Sequence, residues 1–335
     1  MKDWPSSSFG IILKVGLIAS LETPEITSLA KRLSSKGVGV KRINIDEIPS
    51  DSRSVIRLSE GIDVQVDGAG TLDISSFFLS RAEYVSPIPV SNETSVGFRF
   101  PRPTWKDWLS RYRNYPETVE TEIEANAFRL SFLRILGDLR PVVNGIECAF
   151  LHYFKPWMLY RLAQAGVRVP PLMFGNDYES LRDFVEESSV VYKPLSGGRE
   201  VRIMTERYLS RNKSALSFEP VMLQKYIPGR GIRVYVVGDE VLEAVLMTQL
   251  RGYVDNRFDT VNMSVIELPD EVRRMCMVAS NTLQMQFCSI DLICDADGDY
   301  HVVDCNDRTG FATLERRLGL PISEKLAELL IKLGN

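Results

Sequence analysis

In the segment VVYKPLSGGREVRIM, residues 190–204, Lys193 stands three residues before a small loop, Ser196-Gly197-Gly198. A cation beside bare, flexible backbone is a common way to hold phosphate. Further on, SIDLICDADGDYHVVDCNDRTGF, residues 289–311, reads as a β-hairpin turning through DADGD. That pairing brings Asp291 level with Asp304 and Asn306. Residues 304 and 306 share one strand face because side chains alternate. Three hard oxygen donors converging from two adjacent strands suit Mg²⁺, and nucleotide phosphates would complete its shell. Asp295, Asp297 and Asp299 read as a solvated turn, since the glutamate spacing of an EF-hand is absent.

The flanks of the glycine loop limit what it can be. A Walker-type loop runs from a strand into a helix whose first amides hold phosphate. The loop at 196–198 lacks a GK[ST] ending and runs from strand to strand, which argues against that chemistry. Two readings fit the segment by itself: a hairpin that folds over a nucleotide as a flap, and an ordinary hairpin with a surface lysine.

The elements that must position these residues follow from periodicity. ILKVGLIAS reads as a strand, PEITSLAKRLSSKG as an amphipathic helix stopped at Gly37, and VGVKRINI as a second strand, giving a βαβ opening. Short β-like pieces, DVQVD and SSFFLS, follow. A proline-rich, polar stretch, YVSPIPVSNETSVGFRFPRPTWKDW, then places a boundary near residue 95. PETVETEIEANAFRLSFLRILGDL has helical period, with Phe128, Phe132, Ile135 and Leu139 on one face. KPWMLYRLAQAGV is a helix stopped by Gly166. From residue 190 the chain is mostly strands, closed by the amphipathic helix SEKLAELLIKL. The fold class is α/β leaning to α+β, in three regions: 1–95, 96–220 and 221–335.

Composition narrows the function. The chain has 335 residues, 44% of them apolar and 25% charged, as in a globular protein with a sizeable core. A net charge of −4 offers no broad basic surface, so no nucleic-acid partner is expected. Cys148, Cys276, Cys288, Cys294 and Cys305 show no paired spacing, which points to free thiols in a reducing compartment. With His152 and His301 as the complete histidine set, a histidine-rich zinc site or a serine triad is hard to assemble. The apolar start of the chain is interrupted at Pro5, Gly10, Lys14 and Gly16, too short to span a bilayer and without a convincing cleavage site. No membrane partner is expected, and the expected address is the cytoplasm.

The order of these motifs resembles the ATP-grasp superfamily, and within it the RimK-type carboxylate–amine ligases. It consists of Lys155 opening a helix, Lys193 before the glycine loop, LQKYIPG, IRVYVVGDEV, and then SIDLI…VVDCNDRTGF. The likeness covers roughly residues 140–335. Each motif is weak alone, and their order and spacing together are specific. The region from VETEIEANAFRLSFLRIL through VVNGIECAFLHYFKPWMLYRLAQAGVRVPPLMFGND also resembles the graspetide synthetases, peptide macrocyclases with the same core. The resemblance implies a pre-ATP-grasp domain at 1–95, a central region at 96–220 with the small ATP-grasp lobe and flap, and a C-terminal antiparallel lobe at 221–335.

It also implies roles. Lys155 and Lys193 match the lysines that contact nucleotide phosphates, and Gly197 and Gly198 match the flap. Gln224, Lys225 and Ile227 fall in the linker between the lobes, where adenine is held largely by backbone. Arg233 matches an arginine facing the transferred phosphoryl group. Asp291, Asp304 and Asn306 match the magnesium ligands, with ATP and Mg²⁺ as cofactors. Two positions depart from the pattern: Asp304 stands where a glutamate is usual, and Gly231 stands where an acid often contacts ribose. Arg257 and Arg308 are candidates for binding a substrate carboxylate through a bidentate fork, and each also reads as a surface arginine. Three functions follow. The first is an ATP-dependent ligase joining a carboxylate to an amine on an amino acid or peptide. The second is a graspetide-type macrocyclase of a precursor peptide. The third is a non-catalytic nucleotide-binding scaffold. Relatives commonly form dimers or tetramers, which leaves a homo-oligomer open. Cys288, Cys294 and Cys305 read as small core residues, and both histidines as structural.

Overall fold

The computed structural model describes residues 13–20, 22–49, 53–58, 62–67, 69–70, 73–80, 116–148, 151, 154–195, 201–216, 220–249 and 260–335. They cluster into two compact units, residues 1–146 with 327–335, and residues 147–326.

In the first unit, β1 (Lys14–Ala19), the helix Pro24–Ser35 and β2 (Gly39–Asn44) form the expected βαβ unit with parallel strands. The helix starts where the Thr23 hydroxyl accepts from the Ile26 amide and Pro24 occupies the first turn. Its apolar residues Ile26, Leu29, Ala30 and Leu33 recur on one face, and that face is buried. A separate antiparallel sheet holds β3 (Ser54–Leu58), β4 (Ile62–Val66) and β5 (Ala69–Gly70). β6 (Ser76–Leu79) and β7 (Val142–Val143) complete the parallel sheet, in order β2-β1-β6-β7.

The helix Pro116–Leu139 buries Ala125, Phe132, Leu133 and Leu136. Phe128, Ile135 and Leu139 are half-buried, so the inward stripe is rotated by about one residue from the expected one. Arg129 accounts for the rotation. Its guanidinium lies on the buried side and donates to the carbonyls of Ile45, Asp46 and Ile48. The grouping also differs from the 96–220 expectation. β7 follows this helix and pairs with β6, which places both in the first unit.

In the second unit, the helix Lys155–Gln164 ends at Gly166, whose φ of +79° suits glycine. Next come β8 (Leu172–Gly175), the helix Tyr178–Glu187, β9 (Val190–Lys193), β10 (Arg202–Met204), the short helices Glu206–Arg211 and Lys213–Leu216, and β11 (Val221–Lys225). These strands form an antiparallel sheet in order β10-β9-β11-β8 over a small core of Leu181, Val190, Leu209 and Leu223.

The remaining elements are β12 (Arg230–Val237), β13 (Glu240–Gln249), β14 (Thr260–Ile266), the helix Asp270–Thr282, β15 (Phe287–Cys294), β16 (Tyr300–Asn306) and the helices Ala312–Leu318 and Ile322–Gly334. The strands form a second antiparallel sheet, ordered β14-β13-β12-β15-β16. One face carries Val234, Val236, Ile290, Leu292, Val302 and Cys305 into the main core, against the helices Lys155–Gln164 and Asp270–Thr282. Strand alternation therefore turns Arg233, Tyr235, Ser289, Asp291, Asp304 and Asn306 to the other face. At the turn into β12, a Cβ on Gly229 would meet the Cys294 carbonyl oxygen at 2.3 Å, so glycine alone fits there.

All five cysteines are free and buried. Burial pushes the thiols of Cys148, Cys276 and Cys288 up to about 12, and that of Cys305 upward as well. They are core residues rather than nucleophiles. No helix among the described residues is long and apolar enough to cross a membrane.

Candidate active site

The chemistry-bearing residues meet on the polar face of the β12/β15/β16 sheet. Register places Arg233 opposite Asp291, and Asp291 opposite Asp304. Arg233 holds Asp291 through both arms of its fork, Nε to Oδ1 at 2.8 Å and Nη2 to Oδ2 at 2.9 Å. The Asp291 charge raises the Arg233 guanidinium above its ordinary range, against the opposing pull of burial. Asn306 donates from Nδ2 to Asp291 Oδ2 at 3.3 Å.

Asp304 is held from a different element. Lys155, the first residue of its helix, places Nζ 2.5 Å from Asp304 Oδ2, with both side chains largely buried. The Cys305 amide donates to Asp304 Oδ1 at 3.1 Å. A bulge lies beside this point: Asp304 pairs with Asp291 and Val302 with Leu292, so Val303 is the extra residue. The Val303 carbonyl accepts from Lys193 Nζ at 2.9 Å, which brings the end of β9 to the same place. Three cations and two carboxylates thus converge, a surplus of one positive charge suited to a polyphosphate.

The linker residues lie nearby in sequence. Gln224 and Lys225 end β11, and Ile227 stands between β11 and β12. Gln224 is 1% exposed, and its Nε2 has no hydrogen-bond partner among the described residues. A buried amide donor left unpaired is costly unless a ligand satisfies it. Arg308, in the loop after β16, pairs with Asp307 at 3.4 Å. His301 bonds Asp295 across the DADGD turn at 2.9 Å, a structural role, as expected. Gly197, Gly198, Arg257 and His152 lie outside the described residues.

Four groups here escaped the reading of the sequence. Tyr235, fully buried, donates from its hydroxyl to the Gly310 carbonyl at 2.7 Å and anchors the loop after β16. Its place two residues after Arg233 is the alternation signal that could have found it. Ser289 pairs in register with Asn306 and Tyr235 and is fully buried. Burial also pushes the Asp307 carboxyl up to about 6. The Val303 carbonyl depends on the bulge, which leaves no mark in residue types.

Comparison with known proteins decides the family. Residues 155–330, more than half of the chain, match the model of the RimK-like ATP-grasp domain. The chain belongs to this family. Human N-acetylaspartylglutamate synthase A is 27% identical over 217 residues, which cover 60% of this chain and 53% of that protein. The chain spans about half the length of the curated relatives of this kind that it matches. Among solved structures, the ATP-grasp ligase PsnB complexed with a phosphomimetic variant of minimal precursor, Mg and ADP superposes with a TM-score of 0.79 at 24% identity. That match covers 97% of this chain and 99% of PsnB. The macrocyclase MdnC bound with precursor peptide MdnA, from Microcystis aeruginosa MRC, gives a TM-score of 0.74 at 19% identity, covering 95% and 99%. The fold is that of the ATP-grasp enzymes, a mixed α/β fold with parallel and antiparallel sheets.

Among the described residues no three His, Cys, Asp or Glu side chains form a metal site by themselves. Two carboxylates and one amide oxygen are hard donors of the type Mg²⁺ takes, and phosphate oxygens would supply the rest. The donor set fits that ion as a partner of a nucleotide.

Proposed function

We propose that this protein is an ATP-dependent carboxylate–amine ligase acting on an amino acid or peptide through an acyl phosphate. The observation that carries this reading is the convergence of Lys155, Lys193 and Arg233 with Asp291, Asp304 and Asn306 in a RimK-like domain. A carboxylate oxygen attacks the γ-phosphorus of ATP, and the bond to the ADP oxygen breaks. An amine then attacks the acyl carbon, and phosphate leaves as the amide forms.

The chain supplies position and charge rather than a nucleophile. Lys155 and Lys193 bind phosphate oxygens, and Arg233 stabilises charge on the transferred group. Asp291, Asp304 and Asn306 would hold Mg²⁺, which neutralises phosphate charge when bound. Gln224, whose buried amide is unpaired, suits an acceptor on the adenine edge. Gly197 and Gly198 serve as the flap over the phosphates, and Arg257 and Arg308 are candidates for the substrate carboxylate. Five buried free thiols support a cytoplasmic address.

A second reading, a graspetide-type macrocyclase, draws support from the peptide-bound structures, whose likeness extends over 95–97% of this chain. Both readings are tested by magnesium-dependent phosphate release from ATP across amino acids, short peptides and longer precursor-like peptides. Stimulation by an acid–amine pair, lost in Lys193→Ala and Asp291→Ala, supports the ligase. Stimulation confined to long peptides supports the macrocyclase. Tight ATP binding without release under any condition favours a non-catalytic scaffold.

A further inference from the structure

Each carboxylate oxygen at the candidate metal site already has a donor. Arg233 occupies both oxygens of Asp291, and Lys155 and the Cys305 amide divide those of Asp304. The ion pairs are sheltered: side-chain exposure is 13% for Lys155, 23% for Asp304, 23% for Arg233 and 14% for Asp291. Three of these four oxygens keep a second lone pair, but a divalent cation that took it would meet two positive charges at contact distance. A polyphosphate is the complementary ligand, because it attracts the same two cations and leaves both acids exposed.

We propose that Lys155 and Arg233 are resident counter-ions that exclude a divalent metal from the Asp291–Asp304 pair until a polyphosphate draws them off, so that metal and nucleotide enter together. The proposal rests on the phosphate-site reading above. Lys155 is the more mobile gate. Its ammonium is a point charge on a flexible stem, whereas Arg233 grips Asp291 through a fork. By linkage, the factor by which nucleotide improves metal affinity equals the factor by which metal improves nucleotide affinity. The shorter Asp304 carboxylate sits within reach of Lys155, and this pair sets most of the coupling.

The test is Mn²⁺ binding to the nucleotide-free full chain, followed by electron paramagnetic resonance of the free ion. Lys155→Met is expected to bind Mn²⁺ at least tenfold more tightly than wild type, and Lys155→Met/Asp304→Asn should lose the gain. Lys155→Gln removes the charge but keeps a donor to Asp304, and it should move the same way, which guards against a folding defect in the methionine variant. Equal Mn²⁺ affinity in wild type and both single variants overturns the proposal, as does a gain that survives Asp304→Asn. ADP titrated into wild type with Mg²⁺ separates the two levels. ADP binding with no Mn²⁺ gain sinks the counter-ion role alone, whereas no ADP binding sinks the phosphate-site reading beneath it.

Discussion

Arg182 and Arg233 are both arginines beside acidic residues, and they stand in opposite surroundings. Arg182 lies on the helix Tyr178–Glu187 and pairs with Glu179, Asp183 and Glu186, partners within four residues whose side chains are more than half exposed. Arg233 pairs with Asp291, 58 residues away, through a two-armed bond on a sheet face where the acid is 14% exposed. The helix cluster has water as an alternative partner for every charge, so its pairs hold little energy. On the sheet face that alternative is mostly removed, and each charge depends on its partner or on a ligand that replaces it. A charge cluster is a functional candidate when its members come from distant parts of the chain and are partly desolvated.

The largest effect should come from breaking the sheltered side of that contrast. Arg233→Ala is expected to lower turnover by roughly 10²–10³-fold, as for removal of one group aimed at developing charge. It should also cost roughly 3 kcal/mol of stability, because Asp291 is left uncompensated. Steady-state phosphate release and urea denaturation of the same variant check the two parts. Normal turnover in Arg233→Ala would make this pair a structural one.

Asp307 sharpens the comparison through pH. Its folded carboxyl titrates at about 6 because burial disfavours the charged form, against an ordinary value of 3.8. A raised folded value means that the charged carboxylate weakens the fold. The penalty is absent below pH 4, grows as pH rises, and is complete above pH 6, at roughly 2–3 kcal/mol. Asp307→Asn lacks it, so the stability of the variant relative to wild type should rise across that window. Denaturation at pH 4, 5, 6 and 7 measures the slope. A flat difference would show that Asp307 is solvated.

A smaller effect is expected at the loop beyond β16. Tyr235→Phe keeps the buried ring and deletes the bond to the Gly310 carbonyl, which should cost about 1 kcal/mol in urea denaturation. The smallest belongs to the exposed helix. Arg182→Ala should leave the denaturation midpoint and phosphate release unchanged within error. A loss there comparable to that of Arg233→Ala would dissolve the distinction between the two clusters.

Much of the sheet face was legible because strand physics is local. Alternation and the DADGD hairpin marked the two strands that bring Asp291 and Asp304 together, but counted evenly from the turn they pair Asp291 with Val303, and the bulge is what sets Asp304 opposite Asp291. The βαβ opening was readable from hydrophobic period, and the helix stop from Gly166. What escaped was non-local. The bulge that offers the Val303 carbonyl to Lys193 inserts one residue without changing composition. The rotation of the helix Pro116–Leu139 arises from Arg129 reaching three carbonyls more than eighty residues away. Gathering that helix with the N-terminal strands likewise depends on β7 pairing with β6, a contact between residues 65 positions apart.

The most direct measurement is calorimetric binding of a non-hydrolysable ATP analogue, with Mg²⁺, to the full chain and to Lys193→Ala. Lys193 lies at the meeting of the two sheets of the second unit, yet its hydrogen bond to a backbone carbonyl leaves both metal-site carboxylates untouched. The expected result is saturable binding by wild type and an affinity at least tenfold weaker in the variant. No binding by wild type, or equal affinity in the two proteins, would contradict the assignment of this sheet face as an ATP site.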